Sequence, residues 1–225
     1  MIDVLNWDSA FFNCRVGRCE VGHAWNETGF KVSAQMFDIV YVFSEQPLNI
    51  ACSFSDSKKV FVKRVQHYEY DKSIISDFSK ELINNNSFLD LVYLSGHKSR
   101  FRRDSFFGEK KFRALYRAWI KKNLIQPNEY ILVKKVGHML AGFVSFSVID
   151  NNNATIELIA VHSNFQGKGV GRSLLQAVEN SLPPSSNLTV STQGSNPGAC
   201  LFYEGYGFRK KLTQYIYHYE PDSIQ

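Results

Sequence analysis

Residues 156–175 read IELIAVHSNFQGKGVGRSLL. A strand-like run, Ile156 to Val161, gives way to a loop with three glycines in five residues, Gly167, Gly169 and Gly171. A helical pattern follows at once. Glycines let the main chain turn sharply and leave its N–H groups unobstructed. With a helix N-terminus behind them, those groups form a cradle for an anion such as a diphosphate. Lys168 and Arg172 add positive charge beside it. A tight strand-to-helix turn with no ligand is the alternative.

Two familiar phosphate loops fail on spacing. A Walker A loop ending at Gly171-Arg172-Ser173 would need glycine where Gln166 stands, and lysine in place of Arg172. A dinucleotide fingerprint starting at Gly167 or Gly169 would put its third glycine on Arg172 or Leu174. What remains is Q-x-x-G-x-G, written Gln166-Gly167-Lys168-Gly169-Val170-Gly171, directly after a strand.

The rest of the chain supplies a mixed context. The first sixty or so residues read as short strands, at 18–21, 37–43 and 59–65, separated by turn-prone pieces. Residues 73–84 put Ile74, Ile75, Phe78 and Leu82 on one helical face, with Ser73 as N-cap. Residues 88–95 fit helix or strand. A basic amphipathic helix spans 109–123, with Phe112, Leu115, Tyr116, Trp119 and Ile120 inward. Two strands flank the Val136-Gly137 turn, and 154–161 is a third. A helix runs from about 169 to 181, a strand covers NLTVSTQ, and a short helix opens with Asn196 as N-cap and Pro197 in first place. One or two strands end the chain. This order predicts an α/β protein, a mixed central sheet flanked by helices. A small strand-rich α/β domain is expected over 1–65 and the main domain over 66–225.

Charge is uneven. Residues 97–122 carry ten Lys or Arg and two acids, +8 of a total of +5, which leaves about −3 elsewhere. Such a block is a solvated helix face or a surface for an anionic partner, either nucleic acid or a phosphorylated small molecule. Cys14, Cys19 and His23 have spacing suggestive of metal, but a closed zinc site needs a fourth ligand, so reduced thiols and no metal are expected. The opening MIDVLNWDSAFF has no basic and then apolar pattern, and no apolar run is long enough to span a membrane. A cytoplasmic protein without membrane insertion is the expectation.

The Q-x-x-G-x-G turn after its strand resembles the acetyl-CoA signature of the GNAT acetyltransferases, and TQGSNPGACLFYEGYGF is similar to a second part of that family's pattern. The resemblance implies a GNAT fold with acetyl-CoA as co-substrate. Its diphosphate would lie on Gln166, Gly167, Lys168, Gly169, Val170, Gly171 and Arg172. Its pantetheine arm would pair with the backbone of Ile159, Ala160 and Val161, where the family's strand splays from its neighbour. Asn196 would hold that arm, and Tyr203, seven residues on and sharing a face with Cys200, would protonate the departing thiolate. Glu157 is the candidate base, directly or through water, or else a polar acceptor at the sheet end. Strand alternation places Glu157, Ile159 and Val161 on one face.

LNWDSAFFNCRVGRCEV, LSGHKSRFRRDSFF and FRALYRAWIKKNL further resemble the dTDP-fucosamine N-acetyltransferases. That resemblance implies acetylation of a dTDP-linked 4-amino-4,6-dideoxy sugar for surface polysaccharide synthesis, and a homodimer. Arg100 and Arg102 would meet the substrate diphosphate and Phe101 would stack on the base. Tyr116 and Trp119 fall on the apolar stripe and read as core. Three alternatives stay open: another small amine as acceptor, an acetyl-CoA sensor without activity, and a basic nucleic-acid-binding module. Such a module would not need the glycine turn.

Overall fold

The computed structural model describes residues 1–22, 25–69, 74–76 and 82–221. The chain forms two compact units. The first holds residues 1–59, 192–197 and 212–225; the second holds 60–191 and 198–211. The first unit therefore includes two stretches, 192–197 and 212–225, that lie within the C-terminal domain expected from sequence.

In the first unit, β1 (Asp3–Val4), α1 (Asn6–Phe12), β2 (Val16–Glu20), α2 (Glu27–Ala34) and β3 (Ile39–Ser44) follow in order. Strand β1 is antiparallel to β2, which is parallel to β3. The last strand, β10 (Arg209–Tyr219), lies antiparallel to β3 through Tyr215–Tyr219. The core gathers Cys19, Phe30, Ala34, Val40, Val42, Ile50, Tyr217 and Tyr219. The two helices add to the short strands read from the sequence and suit an α/β unit. The α2 sequence, ETGFKVSA, holds Thr, Gly and Val, which are weak helix formers. Two things outweigh that. Asn26 Oδ1 accepts from the Gly29 N–H at 3.1 Å, and Phe30 and Ala34 are buried.

Strand β4 (Phe54–Arg64) runs on into the second unit, which adds β5 (Ile74–Ser76), α3 (Asn86–Ser95), α4 (Arg100–Arg103), α5 (Gly108–Asn123), β6 (Glu129–Val136), β7 (Met139–Asp150), β8 (Asn153–Val161), α6 (Val170–Asn180), β9 (Asn187–Gln193) and α7 (Pro197–Tyr206). The order β9-β8-β7-β6-β5 is antiparallel except for the parallel pair β8 and β9. Side chains alternate across β7, as the pleat requires. Val144 and Phe146 join the cluster holding Leu174, Leu175 and Val178 of α6, while Phe143 meets Phe88 of α3 edge-on at 5.1 Å. Helices thus flank both faces, as expected for this α/β class.

The expected helix over 73–84 is replaced. Residues 74–76 pair with β6 as an edge strand, Ile74 opposite Lys134, and Leu82–Asn84 make one short 3-10 turn. β-branched residues in general favour an extended edge. Ser73 and Phe78 lie outside the described residues. The ambiguous run 88–95 is helical, because Asn85 Oδ1 accepts from the Phe88 N–H at 3.1 Å and starts α3.

Candidate active site

Local sequence builds the turn between β8 and α6. A short 3-10 turn, Ser163–Phe165, leaves the strand, and His162 Nδ1 accepts from the Asn164 N–H at 3.2 Å. Gln166 then folds back, its Nε2 donating to the Val161 carbonyl at 3.1 Å. Gly167 and Gly169 sit at φ +72° and +80°, the left-handed region where a Cβ is strained. Gly169 caps α6, and the first helical bond runs from the Ser173 N–H to its carbonyl at 3.0 Å. The N–H groups of Val170, Gly171 and Arg172 therefore precede the helical ladder. Gly171 serves differently: a Cβ there would lie 3.0 Å from Phe202 Cζ. Two glycines are needed for backbone conformation and one for close packing. The turn is exposed from Ser163 to Gly169 except for half-buried Phe165.

Strand β8 leaves its neighbour just before this turn. Its ladder with β9 runs from Asn153–Asn187 to Ile156–Val190 and stops there. Against β7, Leu158 faces Ser145 but Ile156 faces Phe146, so Glu157 is an extra residue, a β-bulge. The bulge shifts the alternation by one. Ile159 and Val161 pack on the same cluster as Ala154 and Ile156. Glu157 turns the other way, accepting from Asn123 Nδ2 at 2.8 Å and Ser147 Oγ at 3.2 Å. Glu157 therefore does not share a face with Ile159 and Val161, and the alternation expected from sequence is corrected by the bulge. Asn123 is buried and also donates to Glu129, which Lys122 meets at 2.8 Å. Glu157 sits in a network of amide, hydroxyl and carboxylate groups at the opening of the sheet.

On α7, Cys200, Tyr203 and Tyr206 are buried. Tyr203 packs with Phe61, Phe202 and Phe208 at centroid distances of 5.9, 5.4 and 5.7 Å. Burial raises its pKa well above the ordinary tyrosine range, so the phenol keeps its proton at working pH. Tyr206 is engaged otherwise: its hydroxyl donates to Glu179 Oε1 at 2.6 Å, and burial and that carboxylate both raise its pKa. Asn196 directly precedes α7, with its Nδ2 3.4 Å from Thr192 Oγ1.

The basic segment is arranged differently from the expectation. Phe101 is 6% exposed and meets Phe107 and Trp119 edge-on, so its ring belongs to the core and is not offered to a base. Helical phase turns it inward on the single turn of α4. Arg102 is exposed and ion-pairs with Glu109 at 2.9 Å, and the Arg100 guanidinium lies 4.5 Å from the Phe101 centroid. Tyr116 is buried, as its place on the apolar stripe predicts, and burial pushes its pKa up to about 12. Of the metal candidates noted in the sequence, Cys14 and Cys19 form no disulfide and His23 lies outside the described residues. Among the described residues no group of three or more His, Cys, Asp or Glu could hold a metal ion, and no helix is long and apolar enough to cross a membrane.

Sequence reasoning missed Asn123, Glu129 and Glu179. Glu179 carried a signal: it is an acid within the apolar stripe of α6, beside Val178, and such a residue must find buried partners.

Residues 97–208 match the acetyltransferase (GNAT) family. No curated protein matches the chain. Solved structures do. A conserved protein of unknown function from Staphylococcus epidermidis is 13% identical, with a TM-score of 0.64 over 92% of this chain and 84% of that one. A GCN5-related N-acetyltransferase from Sphaerobacter thermophilus is 13% identical, with a TM-score of 0.56 over 98% and 76%. A tandem GNAT protein from the clavulanic acid biosynthesis pathway is 11% identical, with a TM-score of 0.53 over 92% and 78%. At these identities the structures share the fold, and the family match over the sheet, the turn and α7 carries the chemistry. Over residues 97–208 the chain carries an acetyl-CoA-dependent N-acetyltransferase domain of the GNAT family.

Proposed function

We propose that this domain transfers acetyl from acetyl-CoA to the amino group of a nucleotide-linked amino-dideoxy sugar, dTDP-linked by resemblance, in the cytoplasm. The observation that carries the acetyl-CoA reading is the end of the β8–β9 ladder at Ile156, which leaves the last five residues of β8 without β9 as the strand leads into the glycine turn. Strand residues 158–161 keep β7 on one edge. On the other edge, Ile159, Ala160 and Val161 can pair with the amides of a pantetheine arm, and N–H groups of 166–172 can receive the diphosphate at its end.

The amine lone pair attacks the thioester carbon, the carbon–sulfur bond then breaks, and the amine loses a proton. Tyr203 supplies a proton to the departing sulfur. Glu157, fixed by Asn123 and Ser147, receives the amine proton directly or through water. The acceptor class rests on the resemblance and on the charge of residues 97–122, which suits a diphosphate and repels a cationic amine. Arg100 and Arg102 are assigned to that diphosphate, with Arg102 exchanging Glu109 for phosphate. Phe101 has no part in this reading.

The test is a thiol-release assay with acetyl-CoA and a panel of dTDP- and UDP-linked amino sugars. Turnover with a dTDP-4-amino sugar above the acceptor-free rate supports the proposal. Release only with simple amines, or with no member of the panel, overturns the sugar assignment.

A further inference from the structure

Arg172 and Glu179 lie seven residues apart on α6, two turns, and so share one side of the helix. Tyr206 of α7 reaches both. Its hydroxyl donates to Glu179 Oε1 at 2.6 Å, and the Arg172 guanidinium carbon lies 5.4 Å from its ring centre. The second Glu179 oxygen accepts from Lys63 Nζ at 2.6 Å and from the Gln66 N–H at 2.8 Å. Glu179 has no exposed surface, and these three donors offset its desolvation. The ring is thus anchored at its hydroxyl end by the buried Lys63–Glu179 ion pair. At its other end it meets the exposed arginine of the first turn of α6, next to Gly171.

A free arginine on a surface has many rotamers, and each contact it makes must overcome that entropy. A fixed aromatic face beneath the guanidinium removes much of that freedom. We propose that Tyr206 is a positioning residue for the acetyl donor: its ring is the platform that holds Arg172 beside the glycine turn, where the guanidinium meets the donor's diphosphate. The inference rests on the reading of that turn as a diphosphate cradle. It leaves the pantetheine arm and the thioester untouched, so a donor without the diphosphate should not sense the platform.

Binding of acetyl-CoA is measured by calorimetry on the full chain, and S-acetylpantetheine, which lacks the diphosphate and adenosine, by displacement. Tyr206→Leu and Arg172→Lys should each weaken acetyl-CoA by about three- to fivefold. The double variant should be no weaker than the weaker single, because both remove one contact. S-acetylpantetheine should bind all variants alike. Equal weakening of both donors by Tyr206→Leu, or multiplying effects in the double variant, overturns the platform. Should Tyr206→Leu fail to fold, the exposed Arg172 carries the test. Arg172→Lys should fall closer to Arg172→Ala than to the wild type, and wild-type affinity in it overturns the proposal. Gly169→Val separates the two readings. If it leaves acetyl-CoA binding intact, the cradle itself is wrong; if it weakens binding while Tyr206→Leu does not, only the platform is wrong.

Discussion

In the turn between β8 and α6, the groups offered to a ligand belong to the main chain: N–H groups left over by two left-handed glycines and the start of a helix. In the basic segment from Arg100 to Lys122, what is offered are side chains, and several of them are already engaged. Phe101 and Tyr116 are core residues, and Arg102 and Arg113 both pair with Glu109. Both regions look like anion sites in sequence. A main-chain site needs only the backbone path, which glycine spacing dictates locally. A side-chain site depends on which way each residue points and on what else has bound it, and neighbours far away in sequence decide that.

Substitutions can break this contrast. The largest effect belongs to Phe101→Ala. Removing a buried phenylalanine typically costs about 3–5 kcal/mol, so its melting temperature should drop steeply. Sugar KM in the folded fraction should hold. A raised KM at unchanged stability would return Phe101 to the substrate. Next is Tyr203→Phe, which keeps the ring among Phe61, Phe202 and Phe208 but removes the proton. Here kcat should fall roughly a hundredfold or more with acetyl-CoA affinity little changed. Near-normal turnover would make Tyr203 a packing residue. Tyr206 could not replace it, since its hydroxyl is committed to Glu179.

Gly169→Val is smaller but more diagnostic of the turn. A Cβ at Gly169 meets no atom within 4 Å, so the cost is the strain of φ +80° on a β-branched residue. That strain is on the order of 1–2 kcal/mol, and acetyl-CoA affinity should fall about tenfold, read by calorimetry. Unchanged affinity would mean that the turn holds no diphosphate.

Two further measurements probe the inner and outer faces of the basic segment. The Tyr116 phenol, with its pKa raised to about 12 against about 10 unfolded, stabilises the fold fully below pH 10. That contribution is lost as pH rises through 12. Melting temperature between pH 10 and 12 should therefore fall more in the wild type than in Tyr116→Phe; parallel curves would show that the phenol does not titrate with unfolding. Arg102→Ala should change stability by no more than about 0.5 kcal/mol, because its ion pair with Glu109 is exposed. A clear rise in sugar KM is expected there if the segment meets a diphosphate. An unchanged KM leaves the basic face as solvated surface.

By itself, the sequence determined the α/β class, the strand-turn-helix around Gly167 and Gly169, the helical stripe of α5 and the short helix that carries Cys200 and Tyr203. These are local properties: glycine conformations, periodicity and turn chemistry act over a few residues. Tertiary structure alone decided the rest. The helix α2 forms because Phe30 and Ala34 find a core, and residues 74–76 become a strand because β6 has an edge to pair. The bulge at Glu157 turns that carboxylate toward Asn123, and no two-residue alternation in the sequence announces it. Glu179 is tolerable without any exposed surface only because Lys63, Gln66 and Tyr206 arrive from elsewhere in the chain. A buried charge is stable only with partners, and which partners arrive depends on how the chain packs, beyond the reach of any local pattern.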